Sequence, residues 1–223
     1  MPIPHPTSAQ NRVTLLLIVM ITLLLIILSC IFFRGRRATD PLRAQIVAAE
    51  RYATMNGMNR EICILVDYSL PSGCNRLWVW AFARQQKIFE CPVAHGRGHK
   101  RKYRCFRKDT ARFSNEPESW LSSLGHARIA ERYHGRFGTS YRLDGLDSTN
   151  SNLRRRAVVL HGHASVPEKS IFPLLSGRSK GCLAVAYRNM ARLDSLLRNR
   201  KDVLLVCYVE GEYSVEAENG VGR

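Results

Sequence analysis

The sequence predicts a mainly β fold with flanking helices (α+β), placed behind a single N-terminal transmembrane helix. Three observations support this prediction: residues 13–33 carry no charge, residues 76–83 alternate like a half-buried strand, and residues 186–197 show helical spacing. The chain has 223 residues, which suits one domain of ordinary size and an appendage.

The appendage is the uncharged segment from Val13 to Phe33. As a helix it would rise by about 30 Å, the thickness of the hydrocarbon core of a bilayer. A buried helix of a globular protein usually keeps a polar face, which this segment lacks. We therefore expect a membrane anchor or an uncleaved signal. The lipoprotein-like box at 27–30 leaves acylation of Cys30 as an alternative.

The rest of the chain is arranged around this segment. We expect a short tail at 1–12, a basic linker at 34–39, one folded domain at 40–210 and a C-terminal tail at 211–223. Arginines are denser after the apolar segment than before it, so the positive-inside rule would leave the domain in the cytoplasm. Against this charge bias, we expect the opposite orientation, with the short tail inside and the domain on the periplasmic or otherwise extracytoplasmic side of the cytoplasmic membrane.

The folded domain begins with a helix and a meander of strands. The helix is predicted to start at Asp40, because Asp caps helices and Pro41 suits the first helical position. Its apolar stripe ends near Gly57 and consists of Leu42, Ile46, Ala49 and Ala53. Strands follow at 61–68, 76–83 and 87–94, where β-branched or aromatic residues are dense.

The second half of the domain is expected to be less regular. From His95 to Leu153 the sequence is rich in Gly, Ser, Asn and charge, which predicts a long irregular stretch that carries function. A buried strand is predicted from Ala157 to Leu160, ending at His161. A helix at 186–197 and a strand at 203–209 complete the domain.

The net charge of +16 would ordinarily indicate a polyanionic partner such as nucleic acid. Basic residues are densest between Arg97 and Arg112, where Tyr103 and Phe106 interrupt them. No helix-turn-helix, zinc-finger or RNA-binding signature accompanies this cluster, so no nucleic acid partner is expected. Anionic envelope polymers or lipids fit a basic domain that is tethered to a membrane through its N-terminal helix.

The seven cysteines leave at least one thiol unpaired within the chain. There is no Cys-x-x-Cys pair, so a structural zinc site is not expected. In an exported domain, a disulfide could come from Cys63, Cys74, Cys91 and Cys105. Cys63 and Cys207 lie in apolar runs that are typical of buried free thiols.

Only Cys182 lies in a setting that suggests chemistry. It follows Ser179-Lys180-Gly181, and the pair His161-Gly162 lies about twenty residues upstream. A thiol becomes a strong nucleophile once an imidazole takes its proton, so these segments predict a cysteine acyl-transfer enzyme. Two alternatives stay open: an ordinary buried core thiol, and a metal site in which His161, His163 and Cys182 are ligands.

The spacing from His161-Gly162 to Ser179-x-Gly181-Cys182 resembles the active-site signature of the YkuD-type L,D-transpeptidases, which cross-link bacterial peptidoglycan. Upstream segments resemble the murein L,D-transpeptidase catalytic-domain branch of that family, and the likeness extends from about Asp40 to Tyr208. The matching segments are 66–69, 93–96, 113–115, 122–125, 142–146 and 177–179.

The resemblance implies an acyltransferase that forms 3-3 cross-links between stem peptides of the cell wall. His161 would take the proton of Cys182, and the thiolate would form a thioester acyl-enzyme with the donor stem. The carbonyl of Gly162 would fix the tautomer of His161, and the N–H groups of Gly181 and Cys182 would form the oxyanion hole. No metal and no other cofactor is implied.

The resemblance also implies contacts with the stem peptides, which are the expected partners. The expected substrate-binding residues are Arg178, Ser179, Lys180, Ser122, Ser123 and His163. Lys180 stands where the family usually has His, and Ala184 stands where it commonly has Asn or Arg. Carbapenem-type inhibitors are expected to acylate Cys182.

Two other functions stay open on the sequence. The same Cys182 and His161 could use water as the acceptor, which would make the protein an L,D-carboxypeptidase. A catalytically silent envelope-binding module would instead have a buried Cys182 that small alkylating reagents do not modify.

Overall fold

A computed structural model of the chain describes residues 8–98 and 112–210. Within the first helix, side chains are described for residues 15–25 and from residue 42 onward. The predicted tail at 211–223, Cys105, the side chain of Cys30 and most of the basic cluster lie outside the described residues. The chain forms two compact units, Met1–Ile46 and Val47–Arg223.

The first helix, α1, spans Ser8–Met55. The backbone is helical through 34–39, so the predicted helix start at Asp40 is wrong. Four of these six residues are Arg or Ala, which have high helix propensity, so the helix continues past Asp40. The apolar side chains from Leu15 to Leu25 are exposed. In the part of the chain that is described, no helical stretch combines the length and the apolar character needed to cross a bilayer. The transmembrane helix stays a prediction.

The end of α1 agrees with the sequence. Ala49 and Ala53 are buried, as the apolar stripe predicts. Gly57 has a φ of +63°, and the N–H of Met58 donates to the carbonyl of Ala53 at 2.9 Å. This is the Schellman arrangement, in which glycine supplies the left-handed residue that ends a helix.

One eight-stranded sheet forms the centre of the second unit. Its strands are β1 (Ile62–Asp67), β2 (Leu77–Ala81), β3 (Gln86–Cys91), β5 (Gly125–Gly135), β6 (Gly138–Gly145), β7 (Val159–Gly162), β9 (Leu183–Val185) and β10 (Val203–Tyr208). Their order is β3-β2-β1-β10-β5-β6-β7-β9. The pairs β1–β10 and β7–β9 are parallel and the other pairs are antiparallel. The predicted mainly β fold is confirmed.

Most of the predicted elements are present. The meander β1–β3, the strand that ends at His161, the final strand and helix α2 (Tyr187–Leu197) all lie where the pattern placed them. The irregular stretch predicted from His95 to Leu153 is wrong, because β5 and β6 form a long hairpin there. Exposed charged residues on β5 mask the alternation, in which Ala127 and Ile129 are buried and Arg128 is exposed.

A second, two-stranded sheet connects the meander to the cysteine segment. Its strands are β4 (His95–Gly96) and β8 (Arg178–Ser179), which are parallel. The fully buried Arg76 holds the approach to β4, since its Nε and Nη2 donate to the carbonyl of Val93 at 3.0 and 2.8 Å. The chain leaves β8 directly into Lys180, Gly181 and Cys182, so β4 fixes the start of this turn.

Helix α2 covers one face of the sheet near β6 and β7. Its buried side chains are Asn189, Met190, Leu193 and Leu197, which recur at helical spacing. The core cluster joins three of them to residues of the strands, including Leu143, Leu160 and Leu183. The first turn of α2 therefore lies beside the end of β7.

Candidate active site

The parallel pair of β7 and β9 brings the predicted nucleophile and base together. Leu160 pairs with Leu183, and His161 pairs with Ala184. Extending this register by one residue places Cys182 opposite Val159, whose backbone N–H donates to the sulfur of Cys182. Because alternate residues of a strand share one face, Cys182 and His161 lie on the same face of neighbouring strands. The small side chain of Ala184 stands opposite His161 and leaves that face open.

His161 is held in one tautomer. Its Nδ1 lies 2.8 Å from the carbonyl of Gly162, an acceptor, so Nδ1 carries the proton and Nε2 is the basic nitrogen. The imidazole is buried, with 3% of its surface exposed. Burial lowers the pKa of His161, and nearby His163 and Arg136 lower it further. A neutral imidazole is the form that can accept a proton from a thiol.

Gly162 supplies more than its carbonyl. A Cβ at this position would lie 2.5 Å from Cδ1 of Tyr187, the first residue of α2. The ring of Tyr187 thus packs on the backbone of β7 at the residue that fixes His161. Any side chain at position 162 would displace the ring or the strand.

Cys182 is half-buried, and its thiol donates to the carbonyl of Ala157 over 3.8 Å. Burial raises the pKa of Cys182. The N–H of Val159 and the positive charges of Arg136 and Arg156 act in the opposite direction. The resting pair is therefore a neutral thiol and a neutral imidazole, and the proton moves as the thiol attacks.

Gly181 has a φ of +107°, a conformation that side-chain-bearing residues rarely adopt. Its N–H donates to the hydroxyl oxygen of Ser179 at 3.1 Å. If the N–H of Gly181 is to bind an oxyanion, as predicted, this hydrogen bond must be broken or shared.

The predicted substrate-binding residues lie in two settings. Ser122 and Ser123 are buried, where Ser122 Oγ accepts from the N–H of Gly96 at 3.0 Å and Ser123 Oγ donates to the carbonyl of Ser114 at 2.9 Å. These hydroxyls support the segment beside Cys182, and substrate contact by them stays a prediction. His163 lies beyond the end of β7, with its Nδ1 2.8 Å from Ser165 Oγ.

The other predicted residues surround the cysteine turn. Arg178 and Lys180 are exposed, and Ser179 is half-buried. The ammonium of Lys180 lies 4.5 Å from the ring centroid of Trp120, and the guanidinium of Arg97 lies 4.7 Å from the same ring. Two cations are thus held on one indole next to Cys182 by cation–π contacts. A peptide carboxylate would find a positive surface here.

Several residues of the site were missed by sequence reasoning. Phe137 stacks on His161 with ring centroids 4.0 Å apart and an interplanar angle of 20°. It stands with Arg136 at the tip of the β5–β6 hairpin, between the paired Gly135 and Gly138. This Gly-x-x-Gly spacing is a hairpin signal that could have placed the tip. Arg156 and Tyr187 carried no signal of their own.

The metal alternative has no support in this geometry. Among the residues whose placement is described, no group of three His, Cys, Asp or Glu side chains could hold a metal ion. Cys63, Cys91 and Cys207 are free thiols that are buried. Among the described cysteines, Cys182 combines partial exposure with a neighbouring strand that carries an imidazole.

A family model described as L,D-transpeptidase catalytic domain matches residues 37–208, more than half of the chain. This match confirms the resemblance predicted from the motifs. No curated protein is similar enough to the chain to match it.

Solved structures align with the chain at low identity. The helical cell shape determining protein Pgp2 from Campylobacter jejuni aligns at 12% identity with a TM-score of 0.42, covering 67% of this chain and 48% of that one. An L,D-transpeptidase from Mycobacterium smegmatis aligns at 11% identity with a TM-score of 0.40, covering 66% of this chain and 58% of that one. The chain spans about half the length of the first of these proteins.

Proposed function

Because the chain belongs to the L,D-transpeptidase catalytic-domain family, we propose that it is a cysteine-dependent L,D-transpeptidase that forms 3-3 cross-links between peptidoglycan stem peptides. One observation supports this most strongly: in the register of β7 and β9, Cys182, the residue before β9, falls on the same face as His161, whose Nδ1 is bonded to the carbonyl of Gly162.

The first half-reaction acylates the enzyme. Nε2 of His161 takes the proton of Cys182, and the sulfur attacks the carbonyl between the third stem residue and the terminal D-alanine. The imidazolium then gives its proton to the leaving amine of D-alanine, and a thioester holds the rest of the donor. Because burial disfavours the imidazolium, this charged state is short-lived and its proton passes readily to the leaving group.

The second half-reaction transfers the acyl group. The neutral amine of the third residue of a neighbouring stem attacks the thioester carbonyl, and Nε2 of His161 takes the N–H proton that this attack makes acidic. The sulfur leaves and is reprotonated, and a new peptide bond replaces the one that was broken. The energy of the donor bond drives the reaction, so no nucleotide is consumed.

The oxyanion of each tetrahedral intermediate would accept hydrogen bonds from the N–H groups of Gly181 and Cys182. In the resting structure Ser179 Oγ occupies the N–H of Gly181, so arrival of the oxyanion would release this hydroxyl. Charge-assisted hydrogen bonds are stronger than neutral ones, which favours this exchange only when the oxyanion forms.

Space for the peptides exists beside the catalytic pair. A concavity next to the hairpin tip is lined by residues that include Arg136, Phe137, Thr139, Tyr187 and Met190. Phe137 and Tyr187 are the residues that contact His161 and Gly162. On the other side of Cys182, Lys180 and Arg97 on Trp120 would hold stem carboxylates.

We place the catalytic domain outside the cytoplasmic membrane, held there by the uncharged segment 13–33 of α1. Peptidoglycan lies on that side, and the uncharged length suits the hydrocarbon core of a bilayer. A topology reporter fused after Tyr208 tests this placement. A cytoplasmic signal from the reporter would remove peptidoglycan as the substrate.

Product analysis tests the proposed reaction. The purified full chain is incubated with a disaccharide-tetrapeptide, and the products are identified by mass beside those of the Cys182→Ala variant. We expect a cross-linked dimer with loss of D-alanine from the wild type alone. Tripeptide without dimer would make the protein an L,D-carboxypeptidase. If the wild type and the Cys182→Ala variant are both folded and neither forms product, the protein would be a catalytically silent envelope-binding module.

Inhibition by a carbapenem gives an independent readout of the same site. The β-lactam carbonyl would acylate the sulfur of Cys182, and the adduct would add the mass of the inhibitor to the peptide that contains Cys182. Cys74, which is also half-buried, is the internal reference in the same digest. An adduct on both cysteines would indicate mere thiol reactivity.

A further inference from the structure

Three consecutive arginines precede β7, and only the last one faces the site. Arg154 bonds to the carboxylates of Asp144 and Glu131 at 2.5 and 2.9 Å. Arg155 is exposed. Arg156 is half-buried and turns inward, next to Ala157, whose φ of +51° reverses the direction of the chain.

Arg156 makes four hydrogen bonds, and all of them go to neutral oxygens. Its Nη1 donates to the carbonyl of Ser114 at 2.7 Å and to Ser123 Oγ at 2.6 Å. Its Nη2 donates to Ser119 Oγ at 3.1 Å and to the carbonyl of Leu121 at 2.6 Å. In the described part of the chain, no salt bridge involves Arg156. Its positive charge is therefore fixed in place and forms no ion pair with a carboxylate of the described residues.

This charge lies beside the turn that carries the nucleophile. Nη2 of Arg156 is 3.2 Å from the position that a Cβ of Gly181 would occupy, and the carbonyl of Leu121 is 2.8 Å from it. The guanidinium, the segment 114–123 and the Gly181-Cys182 turn thus meet at one point. Desolvation of a half-buried cation strengthens its attraction for an anion that forms nearby.

The charged and titratable groups around Cys182 differ in whether they act on the ionisation of Cys182, of His161 or of both. Arg136 lowers the pKa of both Cys182 and His161, so it stabilises the thiolate but opposes the imidazolium. Arg156 lowers the pKa of Cys182 and is not among the groups that shift the pKa of His161. Glu116 attracts Arg156 weakly, His163 acts on His161, and Lys180 is exposed beside the turn.

We propose that Arg156 is a positioning residue of the nucleophile, whose fixed charge stabilises the thiolate of Cys182 while its four hydrogen bonds hold segment 114–123 against the cysteine turn. This inference rests on the proposed function, because it takes Cys182 as the nucleophile. In the proton transfer from sulfur to Nε2 of His161, Arg156 stabilises the sulfur end of the charge pair.

Alkylation kinetics test this inference without any peptide substrate. Iodoacetamide modifies thiolates, so the rate at Cys182 against pH gives the midpoint of its ionisation. The modified peptide is identified by mass, and Cys74 is the reference thiol in the same chain. The variants are Arg156→Met, Arg156→Lys and Arg155→Met, of which the last removes the same charge from the exposed neighbour.

We expect Arg156→Met to move the midpoint of Cys182 upward by about one pH unit, a tenfold loss of thiolate at neutral pH. Arg155→Met should leave the midpoint where it is. Arg156→Lys should keep the midpoint, because the charge remains, but lower the maximal rate at which a carbapenem acylates Cys182 about tenfold, because the fork that holds segment 114–123 is lost. Equal midpoints for Arg156→Met and Arg155→Met would overturn the proposal.

Folding of the variants does not limit the test. Asn115 also anchors segment 114–123, because its amide bonds to the carbonyl of Ser148 and to the N–H of Asn152 at 2.8 and 2.9 Å. If Arg156→Met is unfolded, the test uses Arg156→Lys alone. Acylation of Cys182 at the wild-type rate in Arg156→Lys would contradict the proposal. A shifted midpoint in a protein that transfers no acyl group would sink the proposed function and leave the role of Arg156 intact.

Discussion

The sheet contains two parallel strand pairs with thiols, and their surroundings differ. The pair β1–β10 lies in the interior of the sheet, between β2 and β5, and holds Cys63 and Cys207. Burial raises the pKa of each of these thiols to about 12. The pair β7–β9 lies at the edge of the sheet, and Cys182 directly precedes β9, where it is half-buried and near Arg136, Arg156 and the N–H of Val159.

The comparison shows that the position of a thiol in the sheet determines which groups are near enough to help it ionise. At the central pair, neighbouring strands surround the sulfur and nothing offsets desolvation beyond Tyr68 and Arg76. At the edge pair, β7 itself carries the base, while a hairpin tip, the first turn of α2 and the segment before β7 supply two aromatic rings and two cations. We infer that the edge pair serves catalysis and that the thiols of the central pair serve packing of the core.

The largest expected effect comes from removing the base at the edge pair. His161→Gln keeps a polar side chain of similar length but cannot accept the proton of Cys182, so acyl transfer should fall by about three orders of magnitude. The measurement is the rate of cross-linked dimer formation. His134→Gln, at an exposed position of β5, should retain the wild-type rate. A His161→Gln variant as active as this control would remove His161 from the mechanism.

The next effect concerns the support of the base. Gly162→Ala puts a Cβ at 2.5 Å from the ring of Tyr187, so the ring or β7 must shift and the carbonyl that fixes His161 moves with it. We expect activity to fall about a hundredfold. The double variant Gly162→Ala with Tyr187→Ala removes both ring contacts and leaves the Cα of residue 187 at 3.2 Å, so it should recover part of the loss. Failure of this rescue would show that position 162 acts in another way.

The aromatic cover of the base has a smaller expected effect. Phe137→Leu removes the ring stacked on His161 and admits water to the imidazole. Because burial lowers the pKa of His161, this pKa should rise toward its ordinary value, and the acid limb of the rate profile should move to higher pH. The turnover rate should fall about fivefold. Phe137→Tyr keeps the ring and should keep the profile, and an unmoved acid limb in Phe137→Leu would contradict this role.

The thiols of the central pair are expected to contribute to stability and not to catalysis. Cys207→Ala and Cys63→Ala should each leave the acyl-transfer rate unchanged and lower the free energy of unfolding by about 1–2 kcal/mol, the cost of a small cavity. Denaturant unfolding followed beside the activity assay measures both quantities. Loss of activity without loss of stability in either variant would break the distinction between the two pairs.

Much of the fold was predictable because its strands are apolar. Strands β1, β7 and β10 are continuous buried runs, and the sequence pattern located each of them. The β5–β6 hairpin was not predicted, since one face of β5 is charged and its register shifts between Ile129 and Arg132. Short strands β4, β8 and β9 depend on partners that are distant in sequence and leave no local pattern.

The site was predictable only where a motif is contiguous. Cys182, His161 and Gly162 stand in two short segments whose spacing is informative. Phe137 and Tyr187 reach His161 and Gly162 from a hairpin tip and a helix start, so only the tertiary structure shows their roles. Among three consecutive arginines, nothing in the sequence distinguishes Arg156 as the one that faces inward.

Observation of the acyl-enzyme tests directly whether Cys182 is the nucleophile. The full chain is mixed with the disaccharide-tetrapeptide, quenched in acid, digested and analysed by mass. We predict that the peptide containing Cys182 gains the mass of the donor minus D-alanine, and that hydroxylamine removes it, as expected for a thioester. The peptides of Cys63 and Cys207 should stay unmodified. No adduct on Cys182 in a folded protein, or an adduct on a central thiol instead, would contradict the account.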